Sequence, residues 1–159
     1  MKKIASLTLA LCLACPLSAQ TIANMKDLTA GQKAAATSVK LTGTLTTKGN
    51  SDIRQLRDLC WQLKHVDLST ANCPTLPANA FHSRHRLESV VLPANLKSIG
   101  TQAFFACDAL KQLTLPATLE EVGAAAFSGC SSLESITIEG APRLGGFAFR
   151  GCNNLRSIK

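Results

Sequence analysis

The sequence predicts an α/β repeat solenoid with a short parallel β-sheet, a mostly irregular or 3-10 outer side and one early helix. Three observations lead there. A motif beginning at Leu87 starts again at Leu110, Leu133 and Leu155, in steps of 23, 23 and 22 residues. Each unit opens on apolar residues two apart, the spacing that puts side chains on one face of a strand. Each of the first three also carries an Ala-Phe pair followed three residues later by Cys. A fixed internal order at a near-constant step means that each unit is one wind of an array, able to bury its apolar side only against the next wind.

Taken in chain order, the first segment is a targeting signal. Lys2 and Lys3 precede an uncharged, mostly apolar run from Ile4 to Leu13, and Pro16-Leu17-Ser18-Ala19 ends on a small residue. This pattern predicts a secretory signal peptide over 1–19 and an exported chain, secreted or at the cell surface. Cys15 also allows lipid anchoring, although Cys12-Leu13-Ala14 fits that processing poorly. The run is shorter than the about 20 residues of a membrane span, and no later stretch reaches that length, so no transmembrane segment is expected.

Residues 20–37 read as an N-terminal leader or cap, and 38–159 as the repeat array. Val39-Lys40-Leu41 is the earliest strand. Ser51 is a plausible N-cap, and Ile53, Leu56 and Leu59 recur at helical steps, so 51–60 is the one proper helix. Leu63-Lys64-His65-Val66-Asp67-Leu68 opens the next wind, with Leu76-Pro77 and Ala80-Phe81 as its later half. The Leu87 and Leu110 units follow in full; the Leu133 unit lacks Leu-Pro and one residue. Phe81, Phe104, Phe127 and Phe149 should enter the core. Cys107, Cys130 and Cys152 should form a buried column of small apolar fillers. Gly100, Gly123 and Gly145 should permit a turn that a side chain would obstruct. Ile158 opens another strand just before Lys159, which predicts a truncated array or a last coil covered by another subunit, with self-association through its open edge as one outcome.

The consensus Leu-x-x-Ile-x-Leu-Pro-x-x-Leu-x-x-Ile-Gly-x-x-Ala-Phe-x-x-Cys-x-x-Leu, carried at 87–110 and 110–133, resembles the BspA-type leucine-rich repeat of bacterial surface and secreted proteins. Lys40–Leu45, Asp52–Arg57 and Val66–Ser69 are similar to the opening region of such proteins from Bacteroides-like bacteria, so the resemblance covers about 38–159. It implies a leucine-rich-repeat horseshoe used as a binding scaffold, with adhesion to host matrix proteins or other bacteria among the family's roles, and no catalytic residues. Arg84 departs from the pattern by standing where later repeats have Cys.

Composition narrows the chemistry. The 159 residues are 46% apolar and 17% charged, enough for one folded array and too few for a large multidomain enzyme. Removing 1–19 leaves 15 basic and ten acidic residues, a formal net charge of +5 with the two signs interleaved. With aromatics at 4% and no Lys/Arg tract, neither nucleic acid nor a stacked cofactor is an expected partner. Five cysteines remain, an odd number in an oxidising compartment. Cys60 with Cys73 is the more plausible bridge. Cys60, Cys73, His82 and His85 make a possible metal set, but the twelve residues between the two cysteines are wrong for a usual zinc pair. No nucleophile motif, phosphate loop or carboxylate pair appears; no enzyme activity, metal or cofactor is expected.

The remaining candidate surface is the solvent side of the strands. One outward column reads His65, Ser89, Gln112, Ser135 and Ser157; the other reads Asp67, Val91, Thr114, Thr137 and Lys159. This face is small, polar and nearly uncharged, and it suits an extracellular protein or glycan bound weakly or multivalently. A solvated sheet face with no ligand explains it equally well. The competing function is a targeting region of a longer secreted hydrolase or metal-dependent enzyme.

Overall fold

A computed structural model describes residues 20–22, 25, 28–46 and 51–159. The expected signal peptide, with Cys12 and Cys15, lies outside the described residues. In chain order the elements are β1 (Gln20–Ile22), α1 (Ala30–Ala35), β2 (Ser38–Leu41), β3 (Gly43–Thr44), α2 (Asp52–Leu59), β4 (His65–Asp67), β5 (Ala71–Asn72) and β6 (Thr75–Leu76). They continue with β7 (Ser89–Val91), β8 (Ser98–Ile99), β9 (Gln112–Leu115), β10 (Glu121–Val122), β11 (Ser135–Ile138), β12 (Arg143–Leu144) and β13 (Ser157–Ile158). Every pairing is parallel. The result is a parallel β-solenoid of stacked coils, the architecture that a repeated apolar-x-apolar strand dictates.

The coils of β4, β7, β9 and β11 each contribute one strand to a principal ladder and a two-residue strand to a second, while β3 pairs separately with β5. The second is continuous in the order β12-β10-β8-β6, while the principal one is split into β1-β2-β4-β7 and β13-β11-β9. β7 and β9 lie next to each other without forming a ladder, so the sheet has a seam at that point.

The early region differs from expectation in two ways. β1 pairs with β2 through Thr21 and Lys40, so the ladder already begins at Gln20. α1 is a second helix, closed by a capping box in which the Thr29 side chain accepts from the Gln32 backbone N–H and the Gln32 side chain accepts from the Thr29 N–H. Six residues are too few to show helical periodicity, and this cap was the signal that could have marked the helix. α2 starts from the predicted N-cap, with Ser51 accepting from the Arg54 N–H at 3.1 Å. It buries Ile53 and Leu56, while Asp52 in its first turn accepts from the Met25 and Thr46 N–H groups at 3.2 and 3.1 Å. Lys33 Nζ donates to Gln55 Oε1 at 2.9 Å and so ties α1 to α2.

The core is one continuous cluster running through the coils. Phe81, Phe104 and Phe127 are fully buried, and their rings form a stack that continues to Phe149, with centroids 5.2, 5.2 and 5.4 Å apart. Phe149 and Cys152 are only partly buried, and Leu144, Phe147 and Ile158 of the last coil are exposed. Burial depends on the next wind, so the core thins along the array.

Of the two expected forms, irregular or 3-10, the side away from the principal ladder takes the irregular one, a series of hydrogen-bonded turns with two columns of left-handed residues. Asn79, Gln102, Ala125 and Phe147 form one column, and Ser83, Ala106, Gly129 and Gly151 the other. Gly100, Gly123 and Gly145 serve a purpose other than turning. A Cβ on Gly123 would stand 2.5 Å from the Thr101 backbone N, and one on Gly100 2.4 Å from that of Ala78. These glycines let one coil's backbone lie directly against the previous one.

Candidate functional site

Alternation along the principal strands sorts the side chains. Val66, Val90, Leu113 and Ile136 point into the core, and their neighbours point to solvent. Register then aligns those neighbours. His65 pairs with Ser89 and Asp67 with Val91 across β4 and β7. Gln112 pairs with Ser135 and Thr114 with Thr137 across β9 and β11, and Ser135 with Ser157 on β13. The predicted face residues of β4 and β7 thus stand in two columns, those of β9 and β11 do the same, and the two sets adjoin at the seam.

The structure adds residues to both columns. Ser38 pairs with His65, and Lys40 with Asp67, so the face begins one coil earlier. Val39-Lys40-Leu41 already identified that strand, and alternation alone would have placed Ser38 and Lys40 outward. Lys40 Nζ reaches Asp67 Oδ2 at 2.8 Å, and the His65 ring Nδ1 lies 2.9 Å from Ser89 Oγ. Burial works to raise the Asp67 carboxyl, but hydrogen bonds from Lys40 and from the Ser69 side chain and N–H outweigh it and leave the group below its ordinary value.

The two ends of the face therefore differ in chemistry. Around β2 and β4 the polar groups are occupied with one another. Over the seam between β7 and β9 lies an open cavity of about 490 Å³, whose polar lining includes Ser89, Gln112, Thr114, Ser135 and Thr137. Val91, half-exposed, and Pro116 add apolar surface, and Glu139 supplies the one carboxylate of the lining. Such a lining offers neutral donors and acceptors beside a small apolar patch.

The cysteines and histidines lie elsewhere. Cys60, Cys73, Cys107, Cys130 and Cys152 are all free thiols, so Cys60 and Cys73 do not form the bridge considered above. The Cys107, Cys130 and Cys152 thiols each donate to the carbonyl of Phe81, Phe104 and Phe127 respectively, at 3.1 Å. The neighbouring Cys152 thiol and burial both push the Cys130 thiol up. His85 Nδ1 is paired with Asp108 at 2.6 Å, whereas His82 stacks on Phe105 at 5.0 Å and contacts Ser83 Oγ at 2.9 Å. Among the described residues no three His, Cys, Asp or Glu side chains converge as a metal site would require, and Cys60, Cys73, His82 and His85 are not brought together.

Arg84 is the exception within the repeat. It occupies the Cys column position, yet its Nε is buried without a hydrogen-bond partner, the one such side-chain nitrogen or oxygen among the described residues. Leaving a buried donor unmet costs about 1–3 kcal/mol, and more for a charged group.

The sequence profile of the BspA type leucine rich repeat region matches residues 58–159 in six copies. The chain belongs to the BspA-type leucine-rich repeat family. A leucine-rich repeat protein from Bacteroides ovatus has a similar structure, with a TM-score of 0.60 at 27% identity over 88% of this chain and 36% of that one. The T. pallidum leucine-rich repeat protein is similar over 79% of this chain and 56% of that one, with a TM-score of 0.59 at 26% identity. The pneumococcal vaccine antigen PcpA shares the fold, with a TM-score of 0.53 at 22% identity over 78% of this chain and 28% of that one. The chain thus spans about a third of the Bacteroides protein and just over half of the T. pallidum one. No curated protein matches it significantly. BspA-type repeats are protein-interaction repeats, and no described helix is long and apolar enough to cross a membrane.

Proposed function

We propose that this BspA-type repeat chain is an exported interaction module, secreted or held at the cell surface, that binds an extracellular protein or glycan through the solvent face of its principal sheet. The observation that carries the reading is the set of uncharged hydroxyl and amide groups, register-aligned on β9 and β11 and joined by Ser89 of β7, that lines a cavity of about 490 Å³ over the seam. Groups repeated from coil to coil suit a partner that is itself extended or repetitive. Without an aromatic or Arg anchor in that lining, a single contact is weak, and adhesion depends on several engaged at once. Export rests on Lys2, Lys3, the Ile4–Leu13 run and Ala19.

The test is a binding screen of the chain against immobilised matrix proteins and glycans, repeated with Gln112→Ala and Thr114→Ala. Both side chains are exposed, so the variants should keep the fold and lose binding. A captured ligand whose affinity is unchanged by both substitutions removes the sheet face from the mechanism. For export, the secreted product should begin at Gln20.

A further inference from the structure

We infer that the pocket around Arg84, on a different side of the coils from the sheet face, is a binding site for a sulfate or phosphate oxyanion. The pocket has a volume of about 380 Å³ and is lined by Arg57, Asp58, Asn79, His82, Ser83 and Arg84. Its charges do not cancel. Each Arg57 nitrogen already donates once: Nε and Nη2 to the Asp58 carboxylate at 2.6 and 3.2 Å, and Nη1 to the Asn79 carbonyl at 2.9 Å. The hydrogen bond from Arg57 holds the Asp58 carboxyl below its ordinary value, so Asp58 is ionised and taken up by Arg57 and, at 3.4 Å, by Arg54.

Arg84 has no such partner. Its Nε is buried and unbonded, and among the described residues no carboxylate lies within 4.0 Å of its guanidinium. Packing does not call for a cation here, because the next three repeats fill the same position with a small thiol bonded to a carbonyl. A guanidinium that replaces such a filler and remains unpaired offers its Nη groups to an acceptor in the pocket that Arg84 lines, while the enclosed Nε stays out of a ligand's direct reach.

The neighbouring groups are held in fixed positions, and the Ser83 hydroxyl and His82 ring share one hydrogen bond that leaves one of the two a donor to spare. Ser83 and Asn79 are held in left-handed backbone, with φ of 57° and 58°, by ladder bonds from their N–H groups to Phe105 and Thr101 at 2.8 and 3.0 Å. The His82 ring lies flat on Phe105, and its Nδ1 faces the Ser83 hydroxyl. A rigid hydroxyl, an imidazole and a forked cation suit a group that presents several oxygens and a negative charge. A neutral sugar hydroxyl would leave the charge uncompensated.

The test is a titration of the isotope-labelled full chain with sodium sulfate against sodium chloride at equal ionic strength, read at the Arg84 Nε–H and Ser83 amide resonances. Saturable one-site shifts with sulfate alone are expected, weakened at least about tenfold by Arg84→Met, the loss of one charge-assisted hydrogen-bonding group. Arg150→Ala, at an exposed site in the last coil, should change nothing. Glucosamine 6-sulfate, as a second probe, identifies the source of the oxyanion. Tighter binding than inorganic sulfate assigns a sulfated saccharide, and equal or weaker binding assigns the free ion. Shifts that follow chloride equally, or an Arg84→Met titration identical to the parent, overturn the site. Should Arg84→Met fail to fold, Arg84→Lys keeps the charge without the fork and must weaken sulfate binding for the inference to stand.

Discussion

The rings of Phe104 and Phe127 stack with centroids 5.2 Å apart and planes 9° from parallel, and Phe81 makes the same contact on the other face of Phe104. One side chain is thereby sandwiched between the coils before and after it. Phe104→Ala should cost about 3–5 kcal/mol, the usual loss for a large aromatic in a packed core. Phe149→Ala should cost clearly less, because that ring is only partly buried. Urea denaturation of the two variants checks the order, and equal losses would contradict a core that thins toward the last coil.

Backbone spacing gives two substitutions of opposite sign. Gly123→Ala places a methyl group 2.5 Å from the Thr101 N and 2.6 Å from the Gly100 carbonyl carbon, so two coils must separate. A loss of about 1–3 kcal/mol or outright misfolding is expected. Ala106 has φ of 54° at the column position where Gly129 and Gly151 stand. Left-handed backbone costs a non-glycine residue about 1–2 kcal/mol, and the added chain entropy of glycine returns about 0.5–1 of that. Ala106→Gly should therefore raise the melting temperature slightly while Gly123→Ala lowers it.

The same positions show what could be read before the fold was known. Period and alternation placed Val66, Val90, Leu113 and Ile136 inward and the two outward columns beside them, because strand geometry is local. What stayed hidden depends on neighbouring coils. The role of Gly123 follows from a backbone approach by the previous wind, and the seam between β7 and β9 from pairing that no single repeat encodes. α1 was too short for periodicity. Arg84 was visible as a departure from the pattern, but its unmet Nε appears only once the surrounding groups are in place.

A charged column edges the sheet. Lys64, Glu88, Lys111, Glu134 and Arg156 occupy successive coils just before the principal strands, with Glu134 bonded through the backbone to Lys111 and Arg156 to Glu134. Lys64 Nζ meets Glu88 at 3.0 Å, and the hydrogen bond from Lys64 draws the Glu88 carboxyl below its ordinary value, with Lys111 adding to the effect. Glu88→Lys should lower the melting temperature by placing three cations in sequence. The deficit should shrink in 1 M salt, where the screening length falls to about 3 Å. Adding Lys64→Glu should recover only part of the loss, because the lysine at position 88 still faces Lys111.

The buried thiols make stability fall in alkali. Burial pushes Cys60 up to about 11 and Cys107 up to about 12 from an ordinary 9.0, and raises Cys73 as well. Below 9.0 the thiols are protonated in both folded and unfolded chains, and their contribution is fully present. Between 9.0 and about 12 the unfolded chain releases protons that the folded chain keeps, so the unfolding free energy declines as pH rises. With no Tyr in the sequence, phenol ionisation does not overlap that window. Urea midpoints measured across it should fall, and Cys107→Ala should make the fall shallower. At neutral pH Cys60, Cys73 and Cys107 should resist alkylation until denaturant opens the coils, because the reactive species is the thiolate and none of these three sites exposes one. Rapid labelling of Cys107 in the native chain would mean that the turn between Phe104 and Leu110 opens on its own, and the stacked column would then be looser than its 3.1 Å contact to the Phe81 carbonyl requires.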